Sequence, residues 1–144
     1  MTSEIRYSVP SGLNAQSLYQ QAGRPACTDV RYISAEKRLE VVFADGKSFA
    51  FTAEFLRIES PSAEVQGHGP HQKTLVPGRR HVGIIGIEPV GTYALRLKFD
   101  DLHDTGLYSW EWFYDRGHDQ DALWQDYLQR LDARGLSRDP RKQA

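Results

Sequence analysis

Apolar and polar residues alternate most clearly in two stretches of the chain. VRYI at 30–33 and RLEVVF at 38–43 are rich in β-branched and aromatic residues, and an Asp45-Gly46 turn leads into SFAFT at 48–52, so a three-strand meander is predicted. AEFLRI at 53–58 opens with helix-forming residues, carries apolar Phe55, Leu56 and Ile58, and stops before Pro61, which predicts one or two helical turns. Farther on, strands are predicted near 82–88 and 92–99 on either side of a Pro-Val-Gly turn, followed by the bend DDLHD at 100–104 and a strand around TGLY. Ser109 is placed to cap a short helix, WEWFYDR, that Gly117 would end. A second helix is expected from an Asp119 N-cap to Gly135. Its Leu123, Trp124, Tyr127, Leu128 and Leu131 recur on one side, a stripe expected to pack on the domain's own sheet.

The two stretches echo each other. Residues 39–56 and 95–113 each read as an alternating strand ending in Phe, an acidic bend, a return strand, then small-polar and Glu-aromatic residues opening a helix. With one inserted residue, Phe43 matches Phe99, Asp45 matches Asp101, Glu54 matches Glu111 and Phe55 matches Trp112. The fold class implied is α+β: a small β-rich domain of two β-hairpin-plus-short-helix halves with a C-terminal amphipathic helix. Lys47 falls where His103 does, so the bend is first a recurrent structural device.

Three segments lack such patterning. Residues 1–28 mix Ser, Gln, Gly and Pro and are expected to form a flexible leader, with structure beginning near Asp29. Residues 59–80 are rich in Gly, Pro and polar groups, and an irregular connection of that length is the best loop candidate for a site. Residues 136–144 read as a frayed tail. The domain proper is thus expected over 29–117, with the C-terminal helix at 118–135.

Composition removes several functions. At 144 residues, 40% hydrophobic and 26% charged, the chain is long enough for one core. No apolar run approaches the roughly 20 residues that span a bilayer, and the N-terminus has no signal-peptide pattern, so the cytoplasm is the expected compartment and no membrane partner is expected. Eighteen basic against nineteen acidic side chains leave no global field, so nucleic acid is not expected as a partner. The single cysteine, Cys27, excludes an internal disulfide and every thiolate cluster built from one chain.

The histidines are His68, His71, His81, His103 and His118. His68 and His71 lie three apart in GHGPHQK, a spacing that can set two imidazoles on one ion; with His103 and Asp101 or Asp104 they would make a nitrogen/oxygen site for zinc or iron(II). That requires the long loop to fold over the bend, and solvated turn residues are the competing reading. None of the five histidines has Asp or Glu two residues later, so no facial triad is legible. There is no G-x-S-x-G elbow, and GKS at 46–48 lacks the earlier glycine of a phosphate-binding loop, since Val41 stands there. No catalytic residue is assigned.

SPSAEVQGHG at 60–69, GIEPVGTYALRLKFDD at 86–101 and HDTGLYSWEWFYDRG at 103–117 together resemble the N-terminal domain of γ-butyrobetaine hydroxylase-like proteins, over residues 29–117. The resemblance implies a β-rich accessory domain rather than an oxygenase barrel, and related domains are appended to Mrp-like P-loop ATPases that carry iron–sulfur clusters. In the animal hydroxylases the domain holds zinc through three cysteines and a histidine. The histidine falls on His103, but the cysteine places fall near Ser60, Ser62 and Val65, so a Cys₃His site is excluded and any iron or zinc would need His68, His71, His103 and a carboxylate. Many relatives have glycine where this chain has Leu102. Two functions are therefore expected to compete: a non-catalytic module whose loop 59–80 and bend 100–104 form one surface for a protein partner such as an Mrp-like ATPase, and an iron or zinc protein assisting redox chemistry.

Overall fold

The computed structural model describes residues 4–8, 24–67, 69 and 72–140. Among these described residues seven strands and three helices follow in the order β1 (Glu4–Ser8), β2 (Cys27–Ile33), β3 (Arg38–Phe43), β4 (Ser48–Thr52), α1 (Ala53–Ile58), α2 (Ala63–Gln66), β5 (Ile84–Val90), β6 (Ala94–Phe99), β7 (Leu107–Ser109) and α3 (Trp110–Ala133). The first four strands form one antiparallel sheet in chain order and the last three form another. The protein is an α+β fold, as the sequence pattern predicts. Leu39, Val41 and Phe43 from β3, and Leu95, Leu97 and Phe99 from β6, turn inward on the period of two that a pleated strand imposes, and they meet Phe55, Leu56, Trp110 and Phe113 in one core.

The internal echo is a structural repeat. In both bends the Phe amide bonds the carbonyl four residues on: Phe43 to Lys47 at 2.9 Å, Phe99 to His103 at 3.0 Å. In both, the aspartate side chain takes the N–H two residues on, Asp45 from Lys47 at 3.0 Å and Asp101 from His103 at 3.2 Å. Each return strand ends in a hydroxyl residue that caps the following helix, Thr52 accepting from Phe55 N–H and Ser109 from Trp112 N–H, both at 3.1 Å.

Four expectations are corrected. Residues 4–8 are not a free leader: Ile5 and Tyr7 alternate with polar neighbours, and β1 pairs with β2 to make the meander four-stranded. The Arg24 guanidinium, also in the expected leader, is fastened to Asp115 at 2.7 and 3.0 Å. Gly117 does not end a helix, nor does Asp119 start one; both lie inside the 24-residue α3. Glycine is required there because a Cβ at 117 would stand 2.4 Å from the Phe49 ring, which lets α3 press against β4. The helix ends at the expected Gly135, φ +64°, with Gly135 N–H on Asp132 O and Leu136 N–H on Leu131 O, the paired bonds of a Schellman motif. The tail is docked over its described part: Ser137 and Arg138 carbonyls accept from Gly78 and Arg80 N–H at 2.9 and 3.0 Å.

The apolar stripe of α3 is covered. Tyr127 and Leu131 close a smaller core with Ile58, Val65 and Val76, so the stripe packs on α1, α2 and the loop as well as on the main core. Among the described residues no helix is long and apolar enough to cross a membrane.

Candidate functional site

Helix α1 buries every one of its residues, charged ones included. Glu54 and Arg57, with Glu59 at its C-cap, are each 9% exposed or less, and charges that deep are tolerated only when paired. Each has a partner from a different segment. Glu54 takes two bonds from Arg138 of the tail at 2.6 and 2.9 Å, Arg57 meets Asp101 of the bend at 2.8 Å, and Glu59 meets Lys73 of the loop at 2.6 Å. Asp101 also holds Arg79 at 2.7 Å, so one carboxylate ties α1, the bend and the end of the loop together. Burial alone would raise the Asp101 carboxyl, but Arg57, the His103 N–H and Arg79 outweigh it and leave it below the usual carboxylate range.

His103 is buried beside this hub, 6% exposed. Its Nε2 lies 2.9 Å from Ser60 Oγ and 3.4 Å from Ser62 Oγ, and its Nδ1 lies 3.2 Å from Glu64 Oε2. Thr105 donates to the other oxygen of Glu64 at 3.1 Å. Burial, helped by the Arg57 charge, lowers the imidazole pKa against the opposing pull of Glu64 and Asp101. A neutral ring satisfies every partner: Nδ1–H donates to the carboxylate, which only accepts, and Nε2 accepts the Ser60 hydroxyl.

Ser60, His103 and Glu64 thus have the connectivity of a hydrolase triad, though not its access. Ser60 is 0% exposed. A Cβ on Gly106 would stand 2.5 Å from Ser60 Oγ, with Pro61 and Tyr108 close by, so no substrate carbon can approach the hydroxyl. The cluster fastens α2 to the bend. Cys27 is equally unsuited to nucleophilic work, because burial pushes its thiol up to about 12 and the reactive thiolate is suppressed.

Of the five expected metal ligands, Asp101, His103 and Asp104 are described, all in the one bend. His68 and His71 lie outside the described residues. Asp101 is committed to two guanidiniums, Asp104 is exposed and engages no partner among the described residues, and both nitrogens of His103 are engaged. Among the described residues no three His, Cys, Asp or Glu side chains are grouped to hold a metal ion. Of the places matching the animal zinc cysteines, Ser60 and Ser62 do converge on His103, but they offer neutral hydroxyls where zinc favours thiolate, and Val65 points its side chain into the smaller core. The residues present do not fit a zinc centre of that type. His81 is exposed and lines a shallow cleft with Asp100 and Asp101 of the bend, whereas His118 bonds Tyr114 O and Lys47.

Sequence reasoning missed Glu54, Arg57, Arg79 and Arg138. The only signal was two charges in a helix too short to have a solvent face. It also missed how the bend displays Leu102, which is 84% exposed with φ +72°.

Fold and site together define a small α+β domain whose loop and bend are fastened to one another by buried polar side chains. The chain belongs to the gamma-butyrobetaine hydroxylase-like N-terminal family, whose model matches residues 30–114. Among solved structures it is similar to a protein determined by NMR in solution, 44% identical with TM-score 0.72, over 86% of this chain and 92% of that one. A second NMR structure is 47% identical with TM-score 0.65, over 77% and 87%. A crystal structure of a DUF971-family protein of unknown function from Acidithiobacillus ferrooxidans is 34% identical with TM-score 0.51, over 60% and 86%. No curated protein matches the chain.

Proposed function

We propose that the chain is a non-catalytic binding module of the cytoplasm, which docks a protein partner on the surface made by the first part of the loop, 59–67, and the bend, 100–104. The observation that carries this reading is the fastening of two segments about 40 residues apart into one rigid surface. His103 joins Ser60, Ser62 and Glu64, and Asp101 joins Arg57 and Arg79. Such fixation holds no accessible nucleophile, but it does pre-organise a surface, and pre-organisation lowers the entropy cost of association. The partner proposed is an Mrp-like iron–sulfur carrier ATPase, by the resemblance of the domain to those appended to such ATPases. Any link to iron–sulfur handling then runs through the partner rather than through ligands on this surface.

The test is direct titration of the purified, untagged chain with an Mrp-like ATPase from the same cell, with metal content measured in parallel. A saturable complex that survives chelator supports the module. Stoichiometric iron or zinc bound by the free chain and lost in His103→Ala would instead establish the metalloprotein reading.

A further inference from the structure

Leu102 stands where a leucine is unfavourable twice over. Its side chain is 84% exposed, and its φ of +72° lies in the left-handed region, where a side chain costs roughly 1–2 kcal/mol. The fold does not require leucine there, since the equivalent bend of the first half makes the same hydrogen bonds with Gly46 at φ +87°. Strain of this kind marks functional positions when the surroundings hold it in place. Here Asp101 and His103, the residues on either side of Leu102, are anchored to Arg57, Arg79 and Ser60.

The charges near the bend are unbalanced. Among the described residues Glu64, Asp100 and Asp104 meet no lysine or arginine within ion-pair distance, Glu64 leans on a neutral histidine, and the two guanidiniums at the bend, Arg57 and Arg79, are both turned to Asp101. On the first sheet and its β2–β3 turn, by contrast, Glu4, Glu36 and Glu40 are all paired with Arg6, Arg31 or Arg38.

We infer that Leu102 is the anchor of the docking surface and that the partner protein receives it in an apolar pocket edged by lysine or arginine. The inference rests on the binding-module reading above and adds the residue and the partner's chemistry. A rigid apolar knob at the centre of a charged rim is the arrangement in which a few residues dominate affinity while charge complementarity sets the association rate.

The experiment introduces a photo-crosslinking phenylalanine analogue at 102, and for comparison at 85 on β5 and 128 on α3, in cells producing the full chain. The protein captured at 102 is then purified and titrated with the wild type, Leu102→Gly and Leu102→Ser. The inference expects both variants to fold and to bind roughly tenfold or more weakly than the wild type, and expects wild-type affinity to fall as salt rises. Equal affinity for either variant, salt-independent binding, or capture of a second copy of this chain overturns it. Capture through 85 or 128 but not 102 removes Leu102 and leaves the module standing. Capture at none of the three positions removes both.

Discussion

Gly46 and Leu102 occupy the same place in two equivalent bends, with φ of +87° and +72° and matching hydrogen bonds on both sides. One half of the fold meets the left-handed requirement with the residue that suits it, and the other does not. Leu102→Gly is therefore expected to raise stability by about 1 kcal/mol, since strain relief exceeds the loss of a mostly exposed side chain and the added chain entropy of glycine. Gly46→Leu is expected to lower it by a similar amount. Urea midpoints of the two variants check the pair of signs, and a destabilised Leu102→Gly would contradict the equivalence of the bends.

Gly117 gives a prediction with the opposite sign from the usual helix rule. In an exposed helix Gly→Ala stabilises by about 1 kcal/mol. Here the added methyl would stand 2.4 Å from the Phe49 ring, so Gly117→Ala is expected to destabilise by about 1–3 kcal/mol. Thermal unfolding of this single variant shows whether α3 runs uninterrupted against β4.

The buried Glu54 depends on a residue 84 positions away, Arg138. Arg138→Ala leaves a carboxylate with 5% exposure and no cation, at an expected cost of about 2–4 kcal/mol, and also removes the guanidinium stacked 5.0 Å from the Trp124 ring. Glu54→Gln combined with Arg138→Ala should recover part of that loss. A double-mutant cycle on denaturant midpoints measures the coupling.

His103 predicts a pH dependence. Its folded pKa lies below the ordinary value of 6.5, chiefly through burial, so folding releases protons as pH drops into that range. The contribution is fully present above about pH 6.5 and is lost as pH falls through that value toward the folded one. Between pH 7 and pH 5 the wild type should lose more stability than His103→Gln, which cannot titrate. Parallel stability curves for the two proteins would show that the ring is not held neutral. The Asp101 carboxyl acts lower, its stabilisation being present above the ordinary carboxylate range and lost in stronger acid.

Local chemistry was the legible part of this sequence. Thr52, Ser109, Asp45 and Asp101 act on backbone groups two or three residues away, so their roles follow from residue type and spacing alone. What failed depended on distant partners. The strand at Glu4–Ser8 exists because β2 supplies its ladder, and Gly117 reads as a stop until Phe49 is placed against it. The same limit hid the site: Ser60 and His103 are 43 positions apart, and nothing near either one announces the other. His103 could be singled out because Lys47 breaks the repeat there, but its setting among hydroxyls rather than ligands needed the fold.

The loop and bend are proposed to form one docking surface without metal. Amide shifts of the isotopically labelled chain, followed as an Mrp-like ATPase is added in the presence of chelator, test it most directly. Changes are expected to concentrate at 59–67 and 100–105. Changes confined to the exposed side of α3, or appearing only when iron or zinc is supplied, would contradict it.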